Sequence, residues 1–339
     1  LTRNLNPFML CNGTRQRTDR LPLFRKLTSE LEMSTPQSGI TPEANTDACF
    51  LVLTIRQDPD SLTQIKKTCA LIPQLTRDLS EQYPDARLTS TISIGSQAWD
   101  ALYKAAKPRL LAPFKAVTEG DRTAPATPGD LLLHIRSNRR DINFILLHRA
   151  MDHFGQAVDI QEDETGFRYL DGRDLTGFVD GTENPQGDNR ASVTLVGDED
   201  QSFAGGCYIH TQKWVHSFKK WDKLAVTEQE KVIGRTKEDD IEFSGEEKAP
   251  TAHVKRSNVK DSGGKSMEIL RHSMPYGNAS EGGLYFVSYC RTPTHFDKMM
   301  ESMVKADRHG HYDHLMDYSQ ATTGCAFFAP SVEFLTSAT

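Results

Sequence analysis

The chain has 339 residues, 37% hydrophobic and 25% charged, which is apolar material for a proper core and length for two ordinary domains. Its net charge of −6 argues against general nucleic-acid binding, which depends on Lys and Arg neutralising phosphates, and no stretch approaches the roughly 20 apolar residues needed to span a bilayer. The six cysteines (Cys11, Cys49, Cys69, Cys207, Cys290 and Cys325) form no Cys-x-x-Cys pair, so neither a disulfide scaffold nor a zinc site is suggested, and reduced thiols in a cytoplasmic protein are expected.

The first 32 residues are basic, with Arg3, Arg15, Arg17, Arg20, Arg25 and Lys26 against Asp19, Glu30 and Glu32. They lack the continuous apolar core of a secretory signal. Met33 then precedes a Pro/Ser/Thr-rich run, STPQSGITPEANTDA. Residues 1–35 are read as a flexible lead-in or a cloning or upstream remnant. An Arg-rich targeting presequence is the rival account, disfavoured because no amphipathic period is sustained there.

From residue 36 strand-like and helix-like runs alternate. CFLVLTIRQ (49–57) is apolar and β-branched; residues 60–83 have helical spacing with Asp60 or Ser61 as the expected cap; RLTSTISIG (87–95) reads as a strand. A short helix is predicted near QAWDALYKAA. After a loop rich in Pro, Thr and Ala, DLLLHIRS is a strand and RRDINFILLHRAMDHFG a helix. The later part repeats this form, with strands at GGCYIHTQKWV, EILRH and GLYFVSYCR and a helix at PTHFDKMMESMVKAD, opened by its proline. SFKKWDK (217–223), the nearest thing to a basic-aromatic cluster, is read as a solvated helix face. Two halves of four strands and two helices fit this order, 36–170 and 171–336. Strands that follow one another without a full crossover helix favour an antiparallel α+β arrangement over parallel βαβ units.

Several motifs fail. KDSGGKS (260–266) ends like a phosphate-binding loop, but Val259 stands where its first glycine is required. The run from Asp180 faintly resembles a calcium loop, yet Pro185 occupies the glycine position and the closing Glu is missing. There is no His-Glu-x-x-His and no dinucleotide fingerprint.

What remains is a set of polar residues beside strands. GFVDGTENP (177–185) sets Asp180 in a glycine-flanked turn. Taken alone, Asp-Gly most often makes a tight turn whose carboxylate bonds its own backbone. His253, in APTAHVKRSN, lies between an acidic and a basic run, and without a partner it reads as a surface residue. Arg271 ends the apolar MEIL and precedes HSMPYG, so it must emerge into water or a polar cavity, as a structural salt bridge or as a functional group.

Six blocks in order, GFVDGTENP, VIGRTKEDD, TAHVKRSN, EILRHSMPYG, GLYFVSYC and TTGCAFFAPS, resemble the dye-decolourising peroxidases, most nearly the compact bacterial cytoplasmic type. The similarity runs from about residue 36 to 335. The resemblance implies two ferredoxin-like halves with antiparallel sheets packed as a dimeric α+β barrel, with haem b held mainly by the second half. It implies reduction of hydrogen peroxide through a high-valent iron-oxo intermediate and oxidation of bulky donors such as dyes and phenols. Oligomers, dimeric or larger, are also implied.

Carried over residue by residue, the resemblance makes His253 the axial ligand of the haem iron and Asp313 the carboxylate behind it, with Asp317 as substitute. It makes Asp180 the distal acid-base group and Arg271 the stabiliser of charge as the O–O bond breaks. Ser273, two residues along the strand from Arg271, would face the same way and hold a distal water or peroxide. Arg235 would pair with a haem propionate. Since aspartate remains ionised in acid where histidine is protonated, turnover is expected to be better at acidic than at neutral pH. Bulky donors would pass electrons through Tyr or Trp, with Trp214, Trp221, Tyr208 and Tyr285 as candidates that serve equally as core aromatics. A haem carrier or iron-release protein would need His253 without the Asp180/Arg271 pair. A haem-free binding module would need none of them.

Overall fold

A computed structural model describes residues 34–104 and 106–338 of the chain. The basic lead-in read from residues 1–32, and Cys11 within it, lie outside the described residues. The first half runs β1 (Asp47–Ile55), α1 (Pro59–Gln82), β2 (Thr89–Gly95), α2 (Ser96–Leu102), a small hairpin β3 (Val117–Glu119) and β4 (Arg122–Ala124), then β5 (Leu131–Ser137), α3 (Arg140–Phe154) and β6 (Val158–Phe167). The second half runs α4 (Asn189–Thr194), β7 (Cys207–His216), α5 (Phe218–Trp221), α6 (Val226–Ile233) and α7 (His253–Ser257). It continues with β8 (Leu270–Arg271), β9 (Met274–Gly277), β10 (Gly282–Cys290), α8 (Thr294–Val304), β11 (Ser319–Ala321), β12 (Cys325–Ala329) and α9 (Val332–Ser337).

The large sheet is antiparallel, in the order β6-β1-β5-β2-β12-β7-β10-β8, with β11 paired to β7 and β9 to β10. The expected α+β class is what the chain adopts. The halves meet where β12 pairs with β2, Phe327 opposite Gly95 and Phe328 opposite Ile94. The far ends also touch, because a Cβ on Gly166 of β6 would lie 2.7 Å from the Cβ of Met274 on β9. That approach tolerates only glycine.

Strand alternation sorts the side chains of β10 and β7 onto two faces. Tyr285, Val287 and Tyr289 point inward with Phe50, Ile209 and Phe327. Leu284 and Phe286, with Gln212, Trp214 and His216, point the other way and line a cavity roofed by the second half's helices and loops. On the first half, α1 and α3 cover a separate core that includes Leu51, Ile65, Trp99 and Leu146.

Local signals differ from expectation at three points. The cap of α1 is Asp58, whose carboxylate accepts from the Ser61 N–H at 3.0 Å with Pro59 in the first turn, so the helix starts one residue before the expected cap. EILRH forms only the two-residue β8, because its ladder with β10 is interrupted where the Ser273 hydroxyl, in place of the His272 carbonyl, accepts from the Val287 N–H. In SFKKWDK the lysines are exposed as expected, but Trp221 is 2% exposed and anchors α5 against Phe178.

Candidate active site

The cavity of about 260 Å³ gathers residues from distant parts of the second half. Asp180, His253, Arg271 and Arg235 all line it, together with a methionine-rich wall of Met267, Met299, Met300, Met303 and Met316. Helical spacing puts three of these methionines on one face of α8, and their flexible thioethers suit a broad, irregular apolar surface.

His253 opens the short α7. Its Nδ1 lies 2.7 Å from Oδ2 of Asp313, which is 0% exposed and whose other oxygen accepts from the Leu315 N–H at 3.0 Å. Of the two carboxylates named from the sequence, Asp313 meets the histidine, while Asp317 accepts from the Tyr312 hydroxyl. Burial pushes the imidazole pKa down, but the Asp313 carboxylate outweighs it and holds the pKa above its ordinary value. The same charge favours a metal cation on the ring's other nitrogen, Nε2, which is left for the cavity.

Asp180 sits in a loop folded by its glycines. Gly177 has φ +88° and would drive a Cβ to 2.5 Å from Cε of Lys237, and Gly181 has φ +79°. The Asp180 N–H donates to the Gly172 carbonyl at 3.0 Å, and Arg173 donates to the Gly177 carbonyl at 2.9 Å, so the loop is stitched at both ends. Phe178 is buried against Trp221, and both Phe178 and Asp180, two residues on, line the cavity. Burial raises the Asp180 pKa above the usual carboxylate range; the Arg271 charge opposes this and the Asp174 charge adds to it.

Arg271 has its Nε buried with no hydrogen-bond partner, so its guanidinium presents a free donor. Arg235 is the opposite case. It bonds Asp240 at 2.7 Å, Glu242 at 3.1 Å and Glu183 at 3.4 Å, and is already surrounded by carboxylates. Ser273 is not among the residues that line the cavity, and its hydroxyl accepts from the Val287 N–H at 3.1 Å.

Sequence reading missed a buried pair in the cavity wall. His216 Nε2 lies 3.1 Å from both oxygens of Asp174, and its Nδ1 lies 2.8 Å from the Ser319 hydroxyl. Asp174 also accepts from the Thr176 N–H and hydroxyl, at 3.0 and 2.6 Å. Burial opposes its charge, but the His216 bond and the Thr176 donors prevail and its pKa is lowered. Asp174 and His216 are 42 positions apart, and nothing in the sequence signals their pairing.

Among the aromatics considered as electron carriers, Trp214 lines the cavity, with Nε1 donating to Gln212 at 3.2 Å. Trp221 is tied to the Thr176 carbonyl, and the Tyr208 hydroxyl accepts from the Leu110 N–H. Tyr285 lies on the opposite face of β10 and donates to the Glu162 carboxylate at 3.0 Å.

Comparison with known proteins agrees across both halves. The description "Dyp-type peroxidase, N-terminal" matches residues 37–168, and "Dyp-type peroxidase, C-terminal" matches residues 171–334. A dye-decolorizing peroxidase of Mycobacterium tuberculosis is 44% identical over 290 residues, 85% of this chain and 86% of that one. The encapsulated DyP-type peroxidase of Mycobacterium smegmatis superposes with a TM-score of 0.86 at 41% identity, covering 89% of this chain and 98% of that one. A Rhodococcus jostii RHA1 DypB variant in complex with haem gives a TM-score of 0.86 at 35% identity, with coverage of 89% and 98%.

Proposed function

The chain belongs to the Dyp-type peroxidase family, and from that premise we propose that the cavity shared by His253, Asp180 and Arg271 is the haem b pocket of a hydrogen-peroxide-dependent peroxidase. The enzyme is a haem-dependent peroxidase. One observation carries the site assignment: a histidine held at 2.7 Å by a fully buried aspartate faces the same cavity as a carboxylate and an arginine with a free buried donor.

The residues fit the group. His253 Nε2 would hold the haem iron, the methionines with Phe286 and Phe296 would supply apolar walls for a flat macrocycle, and the Nε of Arg271, buried without a partner, would donate to an anionic or peroxide oxygen. Haem bound there supplies an iron that accepts the oxidising equivalents of peroxide and passes them to an electron donor.

The protein's own groups then divide the work. Asp313 fixes the His253 tautomer, Nδ1 donating, and strengthens the ring as a ligand. Asp180 takes the proton of hydrogen peroxide and returns it to the departing oxygen, and Arg271 stabilises the negative charge that develops there. Arg235 lines the cavity with its guanidinium already bonded to Asp240, Glu242 and Glu183, so it is a weaker partner for a propionate. Ser273 keeps its own O–H to donate while it accepts from Val287, but it is not among the residues that line the cavity and is a weaker distal group than Asp180 or Arg271.

The donors are small or bulky organic molecules such as phenols and dyes, and turnover is best in acid. The five described cysteines are free and buried, which suits a reducing cytoplasmic setting, and a homo-oligomer is the expected assembly. No described helix is long and apolar enough to cross a membrane. The test is His253→Ala: it should lose the haem absorption band and the activity together, whereas Asp180→Asn should keep the band. A His253→Ala protein that binds haem and turns over normally would overturn the assignment.

A further inference from the structure

Arg271 belongs to β8, the last strand in the sheet order, and it stands opposite Ser288 of β10. Its neighbour His272 directs its N–H toward β10, donating to the Val287 carbonyl at 3.0 Å. The alternation of an antiparallel ladder therefore turns the N–H and C=O of Arg271 outward, to an edge where the next strand would lie. One side chain fills that place. Oδ1 of Asn184 accepts from the Arg271 N–H at 2.9 Å, and Nδ2 of Asn184 donates to the Arg271 carbonyl at 2.9 Å. A carboxamide carries a donor and an acceptor side by side, as a peptide group does, so Asn184 pairs with Arg271 as one residue of a strand would.

The other end of the same residue is fastened to the acid's turn. The Asn184 N–H donates to the Gly181 carbonyl at 3.0 Å, and Pro185, buried, follows it. A Cβ on Gly181 would stand 3.2 Å from Nδ2 of Asn184, so the glycine after Asp180 both accepts a φ of +79° and leaves room for the amide to reach across. Asp180 and Arg271, 91 positions apart in the chain, are thus bound into one unit by a side chain that itself lies four residues from the acid.

We propose that Asn184 is a positioning residue for the peroxide reaction, holding the backbone of Arg271 at a fixed place relative to the Asp180 turn. This rests on the reading of Asp180 and Arg271 as the distal pair. Aspartate at 184 is not equivalent: it accepts from the N–H but has no hydrogen for the carbonyl, and it adds a charge beside Asp180. Alanine loses both bonds.

The test uses the haem-loaded full chain and the variants Asn184→Ala and Asn184→Asp, with Asp180→Asn as reference. Hydrogen exchange comes first. In the wild type the Arg271 and His272 amides should both be protected; in Asn184→Ala the Arg271 amide should lose protection while His272, bonded to Val287, keeps it. The rate constant for reaction with hydrogen peroxide should fall at least 10-fold in Asn184→Ala with the haem band retained. The acid limb of its pH profile should move up, since Asp180 feels Arg271, Asp174 and His253 and would lose part of the stabilising Arg271 field. Asn184→Asp, which keeps one bond, should react at an intermediate rate, again with the limb raised.

An Arg271 amide that stays protected in Asn184→Ala, or exposed with rate and limb both unchanged, overturns the proposal and leaves the distal pair standing. If Asp180→Asn is also as fast as wild type, the reading of the distal pair itself has failed.

Discussion

Nδ1 of His253 and Oδ2 of Asp313 lie 2.7 Å apart, with the carboxylate out of solvent's reach and its second oxygen held by the Leu315 N–H. Such a pair is set up to donate electron density through the ring. Asp313→Asn keeps a hydrogen-bond acceptor and removes the charge. The reduction potential of the bound haem should rise, and reaction with peroxide should slow by roughly 10–100-fold, the usual cost of losing a partner of this kind. Spectroelectrochemistry checks the first and rapid mixing the second; an unchanged potential would mean the carboxylate only anchors the loop.

Arg271 is expected to act in the transition state rather than in binding. Removing one preorganised donor at a developing oxyanion typically costs about 10²–10³ in rate. Arg271→Leu should lower the peroxide rate constant by that order and leave haem affinity almost unchanged. Arg271→Lys should recover only part, since an ammonium cannot reproduce the fixed fork of a guanidinium.

The pH profile should report Asp180. Its pKa is raised by burial, so the fraction able to accept a proton falls as pH drops through a point above the ordinary carboxylate value. The same group must give the proton back, which is most effective near its own pKa. The profile for peroxide turnover should therefore rise from strong acid to a weakly acidic optimum, with that acid limb absent in Asp180→Asn. A limb unchanged by the substitution would assign it to another group.

Asp174 and His216 make a structural prediction. The folded-state pKa of Asp174 is lowered, so its contribution to stability is fully present above the unfolded carboxylate pKa and is lost as pH falls through the depressed one. Asp174→Ala leaves His216 and Thr176 without their partner and should cost about 3–5 kcal/mol, as breaking a buried pair generally does. Asp174→Asn should be milder and should flatten the acid side of the stability curve. Thermal melts across pH 3 to 7 check both.

Much of this arrangement was legible in the chain because local chemistry and fold agree. β1, β2, β5, β7 and β10 follow from runs of β-branched and aromatic residues, and α1 and α3 from their helical period. Gly177 and Gly181 announced a shaped loop, and both adopt positive φ. Four strands are expected in the first half but only three can be placed from sequence; the fourth, β6, is hidden because VDIQEDETGF carries exposed polar residues such as Asp159, Gln161 and Asp163 in place of a clear apolar run. The Asp174–His216 pair and the Asn184 bridge were also illegible. They join residues 42 and 87 positions apart respectively, and no composition or period records which groups will meet across such a distance.

The measurement that bears most directly on the account is rapid-mixing absorption of haem-loaded protein with one equivalent of hydrogen peroxide, for the wild type, Asp180→Asn and Arg271→Ala. The account predicts a fast spectral change to a stable oxidised species in the wild type, slowed at least 10-fold in one or both variants. A haem band that simply bleaches, at the same rate in all three proteins, would contradict it and point instead to haem carriage or breakdown.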